Sequence, residues 1–393
     1  MSIAPLAPDG PGLPATAGPA VSRSENSATD RAAPRLLRVQ HDTVYDYDAP
    51  VELAHHLGWL RPRETPQQRI RGWALAITPR PDVDAGTAVL SEPDLAAARP
   101  STAVAPARTE GGVELTGGEP DAGVDVAAGG ADAADDAATA EGAPWAAGLH
   151  GVHQSQDVWG NWRAGFFHAR VHDRLEVVSS FVAELSAPVS LRPAASPPWE
   201  RVAAGLRYHP GSAHDDAIEF VLPSFYAPQD GALARFAREV FRPGMPLLAG
   251  ALGLMQLVHR RFEYRPAATS VSTRAPEALA QQSGVCQDFA HVMIGAMRSI
   301  GLAARYVSGY LLTQPPPGQP RLIGADASHA WVQVWCPLHG WVALDPTNAV
   351  QAGVDHVTLA WGRDYADVAP LRGVIRGGGR ALPRVAVTVE PLG

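Results

Sequence analysis

Residues 35–51, RLLRVQHDTVYDYDAPV, alternate polar and β-favouring side chains, the period-two signal of a half-buried strand. RIRGWALAITPRPD repeats it and is closed by Pro79 and Pro81. HHLGWLRPRE, between the two, is expected as a connection, because Pro62 opposes a long helix. The alternation returns in DVWGNWRAGFFHARVHDRLEVVSSFVAEL, which opens on a Gly160-Asn161 turn. A proline-rich hinge at 186–198 ends the strands, and 186–224 is expected as a linker. The period then changes. Leu233, Phe236, Ala237, Val240 and Phe241 recur at i, i+3, i+4, i+7 and i+8, one face of a helix, and PLLAGALGLMQLVHRRFEY continues in that manner. Strands grouped apart from helices, with a β-rich tail ending RVAVTVEPL, predict the α+β class.

Two segments carry no such period. Residues 1–34 are rich in Pro, Gly, Ser and Ala and are expected as a disordered N-terminus, with no basic-then-apolar signal peptide pattern. Residues 83–152 are biased to Ala, Gly and Asp and are expected as a disordered acidic insertion within a β-rich N-terminal domain, 35–185. Twelve acidic residues against Arg99 and Arg108 in that insertion exceed the whole formal charge of −8, so the rest is close to neutral and nucleic acid is not expected as a partner. The most apolar stretch, 245–258, is too short and interrupted to span a bilayer. Two cysteines, Cys286 and Cys336, exclude a disulfide scaffold, and that low count leads to the expectation of a cytoplasmic protein. The sequence leaves the oligomeric state open.

The chemistry concentrates after residue 283. SGVCQDFAH places Cys286 behind a Ser-Gly turn and at the start of a helical pattern. Phe289, Met293, Ala296, Met297 and Ile300 form its apolar stripe, and Gly301 is placed to cap its C-terminus. A thiol there meets free backbone N–H groups and the positive end of the helix dipole, which favour a thiolate and can hold an oxyanion. Downstream, SHAWVQVWCPLHGWVALDPTN reads as a β-hairpin. If Pro337-Leu338-His339 form a three-residue turn, 336 pairs with 340 and 331 with 345. His329 and Asp345 then share a face on one diagonal, about 7–8 Å apart between Cα atoms. An even-numbered loop would put them on opposite faces. These are the parts of a thiol, imidazole and carboxylate triad.

The stretches GVCQDFAHVMIGAMRSIGLAARYVSGYL, ASHAWVQVW and GWVALDPTN resemble the core of the transglutaminase-like superfamily, and the strands of 35–185 resemble the β-rich region that precedes this core in bacterial members. The resemblance implies a papain-like catalytic domain over 225–393, with Cys286 as nucleophile, His329 as general base and acid and Asp345 as orienting carboxylate. It implies a thiol-dependent amide-cleaving enzyme acting on protein or peptide, by hydrolysis or by transfer to an amine. The alternative is an interaction module that keeps the fold without the chemistry. Trp331 and Trp335 share the His329 face and are candidates to wall the substrate cleft. Asp288 and His291, three apart on the helix, are further candidates for that wall. They lack the additional Cys or His that a metal site requires, so no metal is expected. Gly377-Gly378-Gly379 follows no strand-to-helix phosphate pattern, so no nucleotide cofactor is expected either.

Overall fold

The computed structural model describes residues 33–83, 149–211, 215–266, 268–313, 328–381 and 383–392. Most of the expected disordered segments, 1–34 and 83–152, therefore lie outside the described residues. The first strands are β1 (Arg35–Gly58), β2 (Gln68–Thr78), β3 (Val152–Gln156), β4 (Trp162–His168) and β5 (His172–Leu185). They hydrogen-bond in the order β2-β5-β1-β4-β3. The expected connection at HHLGWLRPRE begins later than its sequence implies, because His55 and His56 continue β1 in register with Phe167 and Phe166 of β4.

The segment expected as a linker is part of the core. It contains α1 (Trp199–Gly205) and a 3-10 turn at Asp216–Val221, and Val202, Leu206, Ala217 and Phe220 enter the main apolar cluster. Its prolines break regular structure without keeping these side chains in solvent. Next come α2 (Gly231–Arg238), α3 (Leu247–Arg261) and α4 (Ala275–Gln281), with β6 (Glu263–Tyr264) and β7 (Ser283–Gly284) as a short parallel pair. Of the expected apolar face, Leu233, Phe236 and Ala237 are buried on α2; Val240, half-buried, and Phe241, buried, follow its end at Arg238.

Helix α5 (Cys286–Arg298) lies at the centre. The sequence pattern gave it a single stripe, yet every residue from Gln287 to Arg298 is buried. Helices α2, α3 and α4 cover one side, and β8 (Ala304–Leu311) and β9 (Ser328–Cys336) cover the other. The helix ends in a Schellman motif. Gly301, at φ +84°, sits in the left-handed region, and the N–H groups of Leu302 and Gly301 bond the carbonyls of Met297 and Arg298. Arg298 is itself fully buried. Its Nε bonds the Phe220 carbonyl at 2.9 Å, Nη1 the Ser224 hydroxyl at 3.0 Å, and Nη2 the Ala304 and Arg363 carbonyls at 2.8 and 2.7 Å.

The second sheet is completed by β10 (Gly340–Asp345), β11 (Val350–Gln351) and β12 (His356–Gly362), in the order β11-β10-β9-β8-β12. Ala330, Val332, Val334 and Cys336 turn to the α5 face, and Trp331 turns to the other, as the pleat requires. After α6 (Tyr365–Val368), β13 (Leu371–Gly377) and β14 (Pro383–Leu392) return to pair with β1. The 225–393 segment is thus not self-contained, since its last two strands belong to the N-terminal sheet.

Arg298→Met keeps the volume but strands the carbonyls that the guanidinium satisfies. Urea denaturation is expected to show a loss of about 3 kcal/mol.

Candidate active site

The hairpin fixes the site. Its turn has three residues, the His339 N–H returns to the Cys336 carbonyl at 3.1 Å, and Gly340 sits at φ +67°. That left-handed residue after a tight turn is what a three-residue hairpin loop demands. Cys336 pairs with Gly340 and Val332 with Leu344, so the next step sets Trp331 opposite Asp345. His329 is on the diagonal, and its Nε2–H donates to Asp345 Oδ2 at 2.8 Å.

Asp345 is fully buried and accepts four further bonds. Asn348 Nδ2 donates to Oδ2 at 2.7 Å and His356 Nε2 donates to the same oxygen at 3.1 Å. The backbone N–H groups of Thr347 and Asn348 reach Oδ1 at 2.9 and 3.2 Å. The tautomer of His356 follows from its surroundings, since its Nδ1 accepts from the Gly353 N–H at 3.3 Å. Burial alone would raise the Asp345 pKa, but the His329 charge and these donors hold it well below the usual carboxylate range.

His329 and Cys286 line the same cleft. With Nε2 committed to Asp345, Nδ1 is the ring nitrogen left for the thiol. Burial by itself would lower the imidazole pKa. The Asp345 carboxylate and the Cys286 sulfur outweigh it and raise the pKa to about 10. The thiol, imidazole and carboxylate anticipated from the hairpin register are brought together in that order.

Cys286, half-buried at the first residue of α5, opens on a cleft of about 280 Å³. Its wall comes from both sheets: Tyr306, Ser308 and Ala330 from the second, His41, Thr43 and Tyr45 from β1. The remaining expected wall residues are elsewhere. Trp331 is buried on the far face, 6.1 Å from the His329 ring and edge-on to His356 at 5.3 Å, where it supports the two imidazoles. Trp335 lies further along the strand and packs on Trp341 at 5.5 Å. Neither lines the cleft, because of β9 only Ser328, His329 and Ala330, at its first end, reach it. Asp288 accepts from the Val285 N–H at 2.8 Å and the Thr269 hydroxyl at 2.6 Å, capping α5. His291 is buried behind the wall, stacked on Tyr226 at 5.1 Å and accepting from the Tyr365 N–H, and burial lowers its pKa to about 3.

Sequence reasoning missed His356, Asn348 and the β1 wall. Asn348 closes the DPTN motif, three residues past the carboxylate, and that spacing was the available signal. Nothing local in the sequence pointed to His356. Among the described residues, the ligand atoms of His329, Asp345 and His356 lie within 4.8 Å of one another, the spacing of a metal site. The hydrogen bonds above already use all three.

Comparison with known proteins assigns the family. Residues 234–346 match the transglutaminase-like superfamily, and residues 37–89 match the bacterial transglutaminase-like N-terminal region. An uncharacterised protein of Mycobacterium tuberculosis is 40% identical over 229 residues, spanning 56% of this chain and 71% of its own length. The chain belongs to the transglutaminase-like superfamily. A protein-glutamine gamma-glutamyltransferase of Pseudomonas aeruginosa is 31% identical over 158 residues, 38% of this chain and 23% of that protein. A crystal structure from Cytophaga hutchinsonii, provisionally described as a cysteine protease, shares the fold at a TM-score of 0.58 and 16% identity, covering 92% of each chain.

One expectation is corrected here. The structures found also include the periplasmic domain of TgpA from Pseudomonas aeruginosa, at 22% identity, a TM-score of 0.24 and coverage of 51% of this chain and 66% of that one. The expectation of a cytoplasmic protein is withdrawn. The physical error was to read compartment from cysteine count. A chain with a large apolar core needs no disulfides in any compartment. Among the described residues no helix is long and apolar enough to cross a membrane.

The contribution of the raised His329 pKa to stability is complete below the unfolded value of 6.5 and is lost as the pH climbs through about 10. Asp345→Asn is therefore expected to destabilise the protein by about 3 kcal/mol in mildly acidic buffer. Urea titrations at rising pH should show that difference from wild type shrinking, most of it gone in strongly alkaline buffer.

Proposed function

We propose that the protein cleaves carboxamides through an acyl-enzyme on Cys286 and passes the acyl group to water or to a primary amine. The observation that carries this reading is that Cys286 and His329 line one cleft while His329 bonds the buried Asp345 at 2.8 Å. The Cys286 proton already rests on His329, whose pKa is raised to about 10, and sulfur adds to the carbonyl carbon. The tetrahedral oxyanion is held by the first-turn N–H groups of α5, those of Cys286 and Gln287. His329 gives its proton to the departing nitrogen, the C–N bond breaks, and a thioester remains. Water or an amine then attacks, His329 takes its proton, and sulfur leaves to recover it. Asp345 keeps the imidazole oriented and compensates its positive charge.

The acyl donor is a neutral carboxamide on a protein or peptide. None of the described residues lining the cleft is Asp, Glu or Arg. Burial keeps Tyr306 protonated, with its pKa well above the usual tyrosine range, so its hydroxyl remains available as a donor. The gamma-glutamyltransferase relative carries the same substrate chemistry in its name.

Iodoacetamide is expected to modify Cys286 before Cys336, which has no exposed surface; equal modification of both, read by peptide mass spectrometry, would count against the reading. Incubation with casein and a biotinylated primary amine should label casein if the acceptor is an amine, and produce ammonia or new peptide ends if it is water. Cys286→Ala and His329→Ala should each lower the rate at least about 1,000-fold. A rate unchanged in either variant would reject the mechanism.

A further inference from the structure

Two arginines are buried beside this core, and their surroundings differ. The guanidinium of Arg298 is enclosed by acceptors from four residues. Arg305 is 7% exposed and makes one hydrogen bond, from Nε to Gln333 Oε1 at 2.7 Å. Among the described residues no acceptor reaches its Nη nitrogens and no carboxylate pairs with it; the one charge acting on it is another cation, Arg63. It lies over Trp361 at 3.7 Å and Trp341 at 4.1 Å from the ring centroids, and Arg63 lies over Trp361 at 3.6 Å. Indole faces attract a cation but offer no acceptor to its N–H groups. A buried charge left without a counter-ion is unfavourable.

Arg305 faces a cavity of about 550 Å³, within the range of small-ligand sites. The cavity contacts Arg305, Trp331 and Gln333, the odd-numbered face of β8 and β9, whereas the Cys286 cleft contacts Tyr306, Ser308 and Ala330. The two spaces therefore have no lining residue in common. No Asp or Glu lines the cavity.

We propose that this cavity binds a small organic carboxylate with a flat apolar body. The Nη nitrogens of Arg305 take the carboxylate, in the planar paired geometry that guanidinium favours, and the body lies among Trp331, Trp341 and Trp361. Gln333 holds the guanidinium by its Nε and supplies no charge, and no described residue supplies the anion.

Isothermal titration calorimetry with cinnamate, and with cinnamamide as its neutral isostere, tests this. Cinnamate should bind at least about tenfold more tightly than cinnamamide. Gln333→Glu places a carboxylate on Arg305 from within and should abolish that preference while keeping the fold; Arg305→Met should abolish it too. Cys286→Ala should leave it unchanged, which separates this site from the catalytic cleft. No binding of cinnamate, equal binding of acid and amide, or a preference that survives Gln333→Glu would overturn the proposal.

Discussion

Asp345 carries its charge where solvent does not reach it, and the site depends on the five hydrogen bonds that make this tolerable. Each donor ties the carboxylate to a different part of the sheet. His329 reaches it across the hairpin, Thr347 and Asn348 from the turn that follows it, and His356 from β12. A slip of one residue in the β9–β10 register would turn His329 to the opposite face and leave a buried anion short of a partner. Register and electrostatics therefore enforce one another. The left-handed Gly340 that sets the odd-numbered turn belongs to the site as much as the imidazole does.

The thiol is held by a different force. Helix α5 is enclosed by helices on one side and a sheet on the other, so its axis is fixed by apolar packing. Only its N-terminal end opens on the cleft. That end presents free N–H groups and the positive end of the helix dipole, and Asp288 fastens it by taking the Val285 N–H. Arg298 fastens the other end by bonding carbonyls from three separate segments. The sulfur is thus presented by a rod clamped at both ends.

The N-terminal sheet completes the site. Strand β1, 24 residues long, pairs with β5 and β14 over its first half and with β4 and β13 over its second, and its His41, Thr43 and Tyr45 wall the cleft. The C-terminal strands close onto β1, which makes the two halves of the chain one structure around the cleft. The cavity beside Arg305 lies between the same two halves, its rim formed by residues 65–68 and 185–191.

Periodicity in the sequence identified the strand of 35–51, the helices α2, α3 and α5, and the β9–β10 hairpin, because in each the apolar positions repeat at the period of the element itself. It also placed His329 and Asp345 on one face, since two-residue alternation and a three-residue turn leave a single register. What it could not reach was any contact between segments distant in the chain. His356 gives no local sign of its role; it meets Asp345 only because β12 pairs with β8. Trp331 and Trp335 share parity with His329, but only the first residues of β9 reach the cleft, and parity says nothing about which end of a strand that is. The pairing of β13 and β14 with β1 and the burial of 202–220 depend on apolar side chains finding partners more than a hundred residues away. The sequence by itself determined the elements and the reactive groups, whose patterns are short-range. The tertiary structure decided which groups meet, because that depends on how the sheets and helices close over a common core.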